Sequence, residues 1–333
     1  MTNELETVID FGTNYLRLSI FNSSLQNIYS SKINVIKNPQ ESINGLIKDA
    51  EKNLSKHIDY INVLYDTLNF KFIELSIKKT FDQSTLAKNT YENLIEEANF
   101  IVKENYFKDQ IIHTIVNNII LDNNENLEIS EDTKMKSIIL EIKFIFLNKS
   151  IFNEILNKFK RNDLNVSNIY CSSYVKSYFF KQKFQNKKNL IFLDVGFERS
   201  SAWFLSNKKF SSFTTLPIGG NTITKDISKI LKISMDFSED LKIFLNQNEK
   251  EFNYSSKYSK VINPYSNLLN KNISLKLLKQ IIKARFDEII ELAVINNYYY
   301  KKISRVDKPI IIFTGNGSKL ASSIYRSDEE KNF

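Results

Sequence analysis

The chain has 333 residues and carries 46 Lys and Arg against 38 Asp and Glu, a formal net charge of +8. That length suffices for about two ordinary domains, each with its own core. The lysines alternate with acidic residues along the chain and form no arginine-rich arm, so the charge reads as a solvated surface and no nucleic-acid partner is expected. A basic surface also suits an anionic membrane leaflet or an acidic protein partner. The single cysteine, Cys171, excludes an intramolecular disulfide and fits a reducing compartment. The two histidines, His57 and His113, cannot build a metal cluster with it. No basic leader followed by an apolar stretch opens the chain, and no apolar run reaches transmembrane length, so a cytoplasmic protein is expected.

In chain order, Thr7–Phe11 and Leu16–Phe21 read as strands around a Gly12-Thr13-Asn14 turn, and Asn27–Ile36 as a third. Pro39 opens a helix over Glu41–Leu54, whose apolar residues recur at helical spacing, and Ile58–Tyr65 is the next strand. Phe70–Lys78 is a strand leaving this α/β unit. Ser84 is placed to cap a helix whose apolar face holds Tyr91, Leu94, Ile95, Ala98, Ile101 and Val102. Gln110–Leu121, Leu127–Ile129 and Lys136–Leu147 read as strands separated by polar turns at Asp122–Asn126 and Ser130–Thr133. Ile151–Phe159 is an amphipathic helix and Asn165–Tyr170 returns to sheet.

A second α/β unit follows. Asn189–Val195, Ser200–Leu205 and Lys209–Leu216 are strands, and a helix runs from about Asn221 to Leu231. This order repeats the opening of the chain, an internal duplication of architecture. Phe237–Leu245 and Leu275–Tyr298 are helical, Asn246–Asn272 reads as a polar loop, and Pro309–Phe313 is a last strand before a short helix.

Glycine is scarce, seven in all, and five fall in three short stretches: Gly12, Gly219-Gly220, and Gly315 with Gly317. In Ile9-Asp10-Phe11-Gly12-Thr13-Asn14 an apolar strand delivers Asp10 to a tight turn whose amides and Thr13 hydroxyl suit a polyanion. Such an Asp can hold hydrated Mg²⁺. Phe192-Leu193-Asp194-Val195-Gly196 repeats the pattern in the second half. One such hairpin is an ordinary turn; two, one per half, read as a two-sided phosphate clamp. Thr314-Gly315-Asn316-Gly317-Ser318, between an apolar strand and a helix, lets the backbone lie against a base or phosphate, or is a plain strand-to-helix turn.

Taken in order, Asp-Phe-Gly-Thr, Asp-Val-Gly, Ile-Gly-Gly-Asn and Phe-Thr-Gly-Asn-Gly-Ser resemble the phosphate-1, phosphate-2 and adenosine motifs of actin-like ATPases. The insert after the first α/β unit resembles that of the bacterial cell-division FtsA family. Further stretches are similar to that family: His113–Asp122; Asn165–Ile169 with Ser172-Ser173-Tyr174; Ile218–Ile227; Ser238–Lys242; and Ile281–Ile289.

The resemblance implies an α/β, actin-like (ribonuclease-H-like), two-lobed fold with an inserted 1C (SHS2-type) subdomain and a shortened C-terminal part. The implied subdomains are 1A over 1–76 and 148–186, 1C over 77–147, 2A over 187–230 and 305–333, and 2B over 231–304. It implies ATP and Mg²⁺ as cofactors. Gly12, Thr13 and Asn14 would touch phosphates, Asp10 and Asp194 would approach the metal, and Gly196 would belong to the second phosphate loop. Gly219, Gly220 and Asn221 would lie near ribose and phosphates. Glu239 and Lys242 would meet ribose and adenine (or form a solvated helix pair), with Gly315, Asn316 and Ser318 beside the base. The implied role is a scaffold that binds the FtsZ C-terminal tail, self-associates as a polymer or through 1C, recruits later division proteins and meets the inner membrane at the division site.

Three departures temper this. Phe197 and Glu198 stand where the family has glycines, and Arg199 either supplies a compensating cation or pairs with Glu198. Tyr15 replaces a frequent lysine. Weakened or even lost nucleotide binding, and at most weak hydrolysis, is the expectation. The family continues to an amphipathic membrane helix, whereas Ser327–Phe333 is acidic, so either the chain is shortened or the membrane is met by other means. An actin-like pilus-assembly scaffold and, further off, an ATP-dependent phosphotransferase are the competing readings.

Overall fold

Alternation of apolar and polar residues sets the first sheet. A computed structural model describes residues 5–35, 39–126, 133–247, 275–305 and 307–325. The chain divides into two compact units, Met1–Lys183 and Phe184–Phe333.

In the first unit, β1 (Glu6–Phe11) and β2 (Tyr15–Phe21) form an antiparallel hairpin in which Asp10 faces Arg17. Ile9, Leu16, Leu18 and Ile20 are fully buried, as period-two alternation requires of a sheet packed on a helix. β3 (Asn27–Asn34) pairs with β2, and α1 (Pro39–Leu54) begins at Pro39, where the missing N–H is no loss. β4 (Tyr60–Tyr65) runs parallel to β1. The chain then builds a second sheet from β5 (Lys71–Leu86), β6 (Asp109–Leu121), β7 (Asn124–Asn126) and β8 (Lys134–Asn148), with the helix α2 (Ala87–Asn105) between β5 and β6. Its strand order is β5-β8-β6-β7, and Leu94, Ala98 and Val102 of α2 pack on Leu140, Ile142, Phe144 and Phe146. α3 (Lys149–Lys160) leads back to β9 (Asn165–Cys171), which completes the first sheet in the order β3-β2-β1-β4-β9, and α4 (Ser172–Lys183) follows.

In the second unit, β10 (Leu190–Val195), β11 (Ser200–Ser206) and β12 (Lys209–Leu216) are antiparallel neighbours. They are followed by α5 (Gly220–Leu231), α6 (Met235–Gln247) and α7 (Leu275–Ile290). α7 passes into a π-helical turn (Glu291–Ile295), then α8 (Tyr298–Ile303), β13 (Ile310–Thr314) and α9 (Lys319–Tyr325). The sheet order β12-β11-β10-β13 repeats β3-β2-β1-β4, with the same senses of pairing. The duplication read from the sequence is therefore a duplication of topology. Every residue of β10 is buried, because Ile191, Leu193 and Val195 meet α5, α6 and α7 on one face while Leu190 and Phe192 point to the other.

Four readings change. Ser84 lies inside β5, and the helix starts three residues later at Ala87. The Asp122–Asn126 turn contains the short strand β7. The helix α4 was not anticipated, and the expected Leu275–Tyr298 helix is interrupted by the π-turn. The expected strand Leu127–Ile129, most of the loop Asn246–Asn272 and the tail Ser327–Phe333 lie outside the described residues.

Candidate functional site

In the first unit the β1–β2 turn carries the expected Asp10, Gly12, Thr13 and Asn14. Asp10 Oδ2 accepts from Arg17 Nη1 at 2.9 Å, the cross-strand register having set the two side chains opposite each other. A Cβ on Gly12 would fall 2.7 Å from the Tyr15 carbonyl oxygen, so the turn is closed too tightly for any side chain there. The Asn14 carbonyl accepts from Val35 N–H at 3.0 Å, while Asn14 Oδ1 is buried with no hydrogen-bond partner. Thr13 is exposed beside it.

The second unit brings together most of the remaining candidates. Asp194 is 7% exposed, and its Oδ1 accepts from the Thr314 hydroxyl at 3.0 Å. The turn after β10 closes through Gly196 N–H to the Arg199 carbonyl at 2.8 Å. Gly317 N–H donates to the Val195 carbonyl at 2.9 Å, and Ser318 Oγ to the Gly315 carbonyl at 2.7 Å. The Thr314–Ser318 stretch is thus laid against the end of β10, with Asn316 exposed.

The Gly219-Gly220 pair fits the same turn from the other side. A Cβ on Gly219 would lie 2.6 Å from the Phe197 carbonyl oxygen and 2.8 Å from the Gly196 carbonyl oxygen. The first amides of α5 are committed to that turn. Gly220 N–H donates to Gly196 O at 2.9 Å, and Asn221 N–H to Phe197 O at 2.7 Å. A helix start normally leaves such donors open to an anion; here loop carbonyls take them.

Glu239 and Lys242 are not a solvated pair. Only 7% of the Lys242 side chain is exposed, and its Nζ donates to Glu239 Oε2 at 2.6 Å, Thr224 Oγ1 at 2.7 Å and the Gly220 carbonyl at 3.0 Å. Those three acceptors match the three ammonium donors. Thr224 Oγ1 also bonds Glu239 Oε2, so α6 is stapled to the first turn of α5. Burial lowers the Lys242 pKa, with Glu239 pulling the other way. Lys242→Met keeps the stem and removes all three bonds. It is expected to cost about 2 kcal/mol in urea unfolding, because Glu239 and Thr224 lose a buried partner; a variant as stable as the parent would show the staple to be idle.

The sequence reading missed the partners. Thr314 for Asp194, Arg17 for Asp10 and Thr224 for Lys242 are each set by tertiary contact. It also missed that Arg285 forks onto Asp226, Nε to Oδ2 at 2.6 Å and Nη2 to Oδ1 at 3.0 Å. That pair joins two of the family-like stretches, 218–227 and 281–289.

For a nucleotide with Mg²⁺ the residues fit in several respects. The glycine backbones lie where only backbone can, and two buried polar atoms on the expected phosphate turns, Asn14 Oδ1 and Arg199 Nη1, have no partner among the described residues. Rotation of the Asn14 amide exchanges its O and N, so the same position can offer a donor. Leaving such a group unpaired costs about 1–3 kcal/mol, which a bound anion would offset. No group of three or more His, Cys, Asp or Glu converges among the described residues. Mg²⁺ bound with phosphates needs only one or two carboxylates.

No protein-family model matches the sequence. The chain is 24% identical over 313 residues to the cell division protein FtsA of Buchnera aphidicola subsp. Baizongia pistaciae, covering 90% of this chain and 72% of that protein. It is 22% identical over 273 residues to FtsA of Buchnera aphidicola subsp. Schizaphis graminum, covering 78% of this chain and 64% of that protein. A solved structure described as the PilM-PilN type IV pilus biogenesis complex superposes with a TM-score of 0.60 at 12% identity, over 98% of this chain and 86% of that one. The fold is therefore of the actin-like class. Within that class the chain is FtsA-like. Among the described residues no helix is long and apolar enough to cross a membrane.

Proposed function

We propose that this chain is a cell-division scaffold that binds ATP with Mg²⁺ as a structural ligand, self-associates, and tethers FtsZ polymers to the inner membrane while recruiting later division proteins. The observation that carries the reading is the 24% identity to an FtsA over 313 residues, spanning 90% of the chain. In the first unit Gly12, Thr13 and Asn14 would contact phosphate and Asp10 the metal. In the second, Asp194 would approach the metal and Gly196 the phosphates. Gly219, Gly220 and Asn221 would lie near ribose and phosphates, Glu239 and Lys242 near ribose and adenine, and Gly315, Asn316 and Ser318 beside the base. When bound, Mg²⁺ would neutralise phosphate charge. The protein's own share is to present backbone at the glycines and to hold the two aspartates in place through Arg17 and Thr314. The place of action would be the cytoplasmic face of the membrane at the division site.

Co-sedimentation with FtsZ polymers, with and without ATP, tests this. Pelleting with FtsZ through its C-terminal tail is expected; no pelleting in either condition refutes the division role. The structural likeness to a PilM-PilN complex supports a second reading, a pilus-assembly scaffold. Capture of a PilN-type tail peptide in place of the FtsZ tail would favour it.

A further inference from the structure

Several donors around the first turn of α5 already have acceptors within the turn. Gly220 and Asn221 give their amides to Gly196 O and Phe197 O. Asn221 Nδ2 donates to Glu198 Oε1 at 2.9 Å. The Lys242 ammonium makes three bonds. Arg199 differs. It belongs to the same turn, with its carbonyl accepting from Gly196 N–H at 2.8 Å, yet its Nη1 is buried without a hydrogen-bond partner among the described residues. Glu198, its sequence neighbour, is engaged by the Asn221 side-chain amide.

The turn therefore has an unusual division of labour. Its carbonyls cap a helix, so amides that would otherwise greet an anion are used internally. Phe197 and Glu198 exclude the close backbone approach that glycines would allow. Arg199 offers an anion a guanidinium, always charged and shaped as a planar fork for two oxygens of a phosphate. We propose that Arg199 is the phosphate-contacting cation of the second unit and that it selects polyphosphate-bearing nucleotides over the bare nucleoside. This assignment rests on the nucleotide-binding reading above.

The test is equilibrium binding of ATP, ADP and adenosine, by competition with a fluorescent adenine nucleotide, to the full chain and to Arg199→Ala and Arg199→Lys. Circular dichroism would confirm that each variant is folded. Arg199→Ala is expected to weaken ATP and ADP about 10- to 100-fold and leave adenosine unchanged. Arg199→Lys keeps the charge without the fork and should fall between. If Arg199→Ala fails to fold, Arg199→Lys alone decides: parental ATP affinity in it overturns the proposal. Unchanged ATP affinity in a folded Arg199→Ala overturns the assignment and leaves the nucleotide reading standing. An equal loss for adenosine and ATP also overturns it, since that marks collapse of the turn rather than a lost phosphate contact. Absence of any nucleotide binding by the parent chain refutes both.

Discussion

Gly315→Ala is expected to destabilise the second unit by about 3 kcal/mol, from two independent costs. Gly315 has φ of +85°, a left-handed conformation that an L side chain adopts only under strain. Its added Cβ would also fall 2.4 Å from the Val195 carbonyl oxygen and 2.6 Å from Asp194 Oδ1. The first of these is backbone at the end of a fully buried strand, and the second is already held by Thr314, so neither neighbour can yield cheaply. Relief has to come from moving the end of β10, which carries Gly196 and, through its carbonyl, the start of α5. On the proposed nucleotide-binding reading, nucleotide affinity should fall together with stability. Trp203 is the chain's single tryptophan and lies buried against Phe210 and Phe213, so its fluorescence reports unfolding of this unit. Gly45→Ala provides a contrast of opposite sign. Gly45 is exposed within α1, and its added Cβ would come no nearer than 4.0 Å to Ile33 Cδ1, so a gain of roughly 0.5–1 kcal/mol is expected. A Gly315→Ala variant that melts with the parent would show that the adenosine-like turn is not tied to β10 in this way.

The two Asp-bearing hairpins were legible because their information is local. Alternating apolar residues, a polar strand end and a glycine turn all fall within a few positions, and the repeated order of strands exposed the duplication. What each Asp bonds to was not legible. Arg17 sits opposite Asp10 through register, but Thr314 reaches Asp194 across 120 positions, and no local pattern encodes that. Lys242 illustrates the same limit. Three residues from Glu239 on a helix it looks like a surface pair, and only the packing of α6 on α5 buries it. α4 escaped notice because its aromatic residues show no single stripe: Tyr178 and Phe179 are exposed while Ser173 and Ser177 are buried. The π-turn is invisible to a 3.6-residue template, since the extra residue rotates the apolar stripe. Ala293 and Val294 are buried, while Leu292 and Ile295 on either side are exposed.

Acidification is expected to remove up to about 3 kcal/mol of stability from the first unit between pH 6.5 and pH 4, through His113. His113 lies on β6 of the second sheet, and its Nε2 accepts from the Cys171 backbone N–H at 2.9 Å, tying that sheet to β9 of the first. The acceptor role requires a neutral ring with its proton on Nδ1. Tyr174 and Tyr170 pack against the imidazole, with ring centroids at 4.7 and 5.7 Å. The nearby Asp66 carboxylate accepts from the Ser173 hydroxyl, and the Cys171 thiol is pushed up by burial. Burial holds the His113 pKa down, to about 4 from an ordinary 6.5. Between these values the unfolded chain binds a proton that the folded chain refuses, so stability rises with pH across that window and is lost as pH falls through it. Below pH 4 both states are protonated and this loss is complete. His113→Gln keeps an acceptor near the Nε2 position and cannot titrate, so its stability should vary less over the same window. Hydrogen exchange at the Cys171 amide, corrected for the intrinsic pH dependence, reads the junction directly: protection should decline on acidification in the parent and hold in His113→Gln. Parallel decline in both would assign the acid sensitivity to other groups and leave His113 as a simple packing residue.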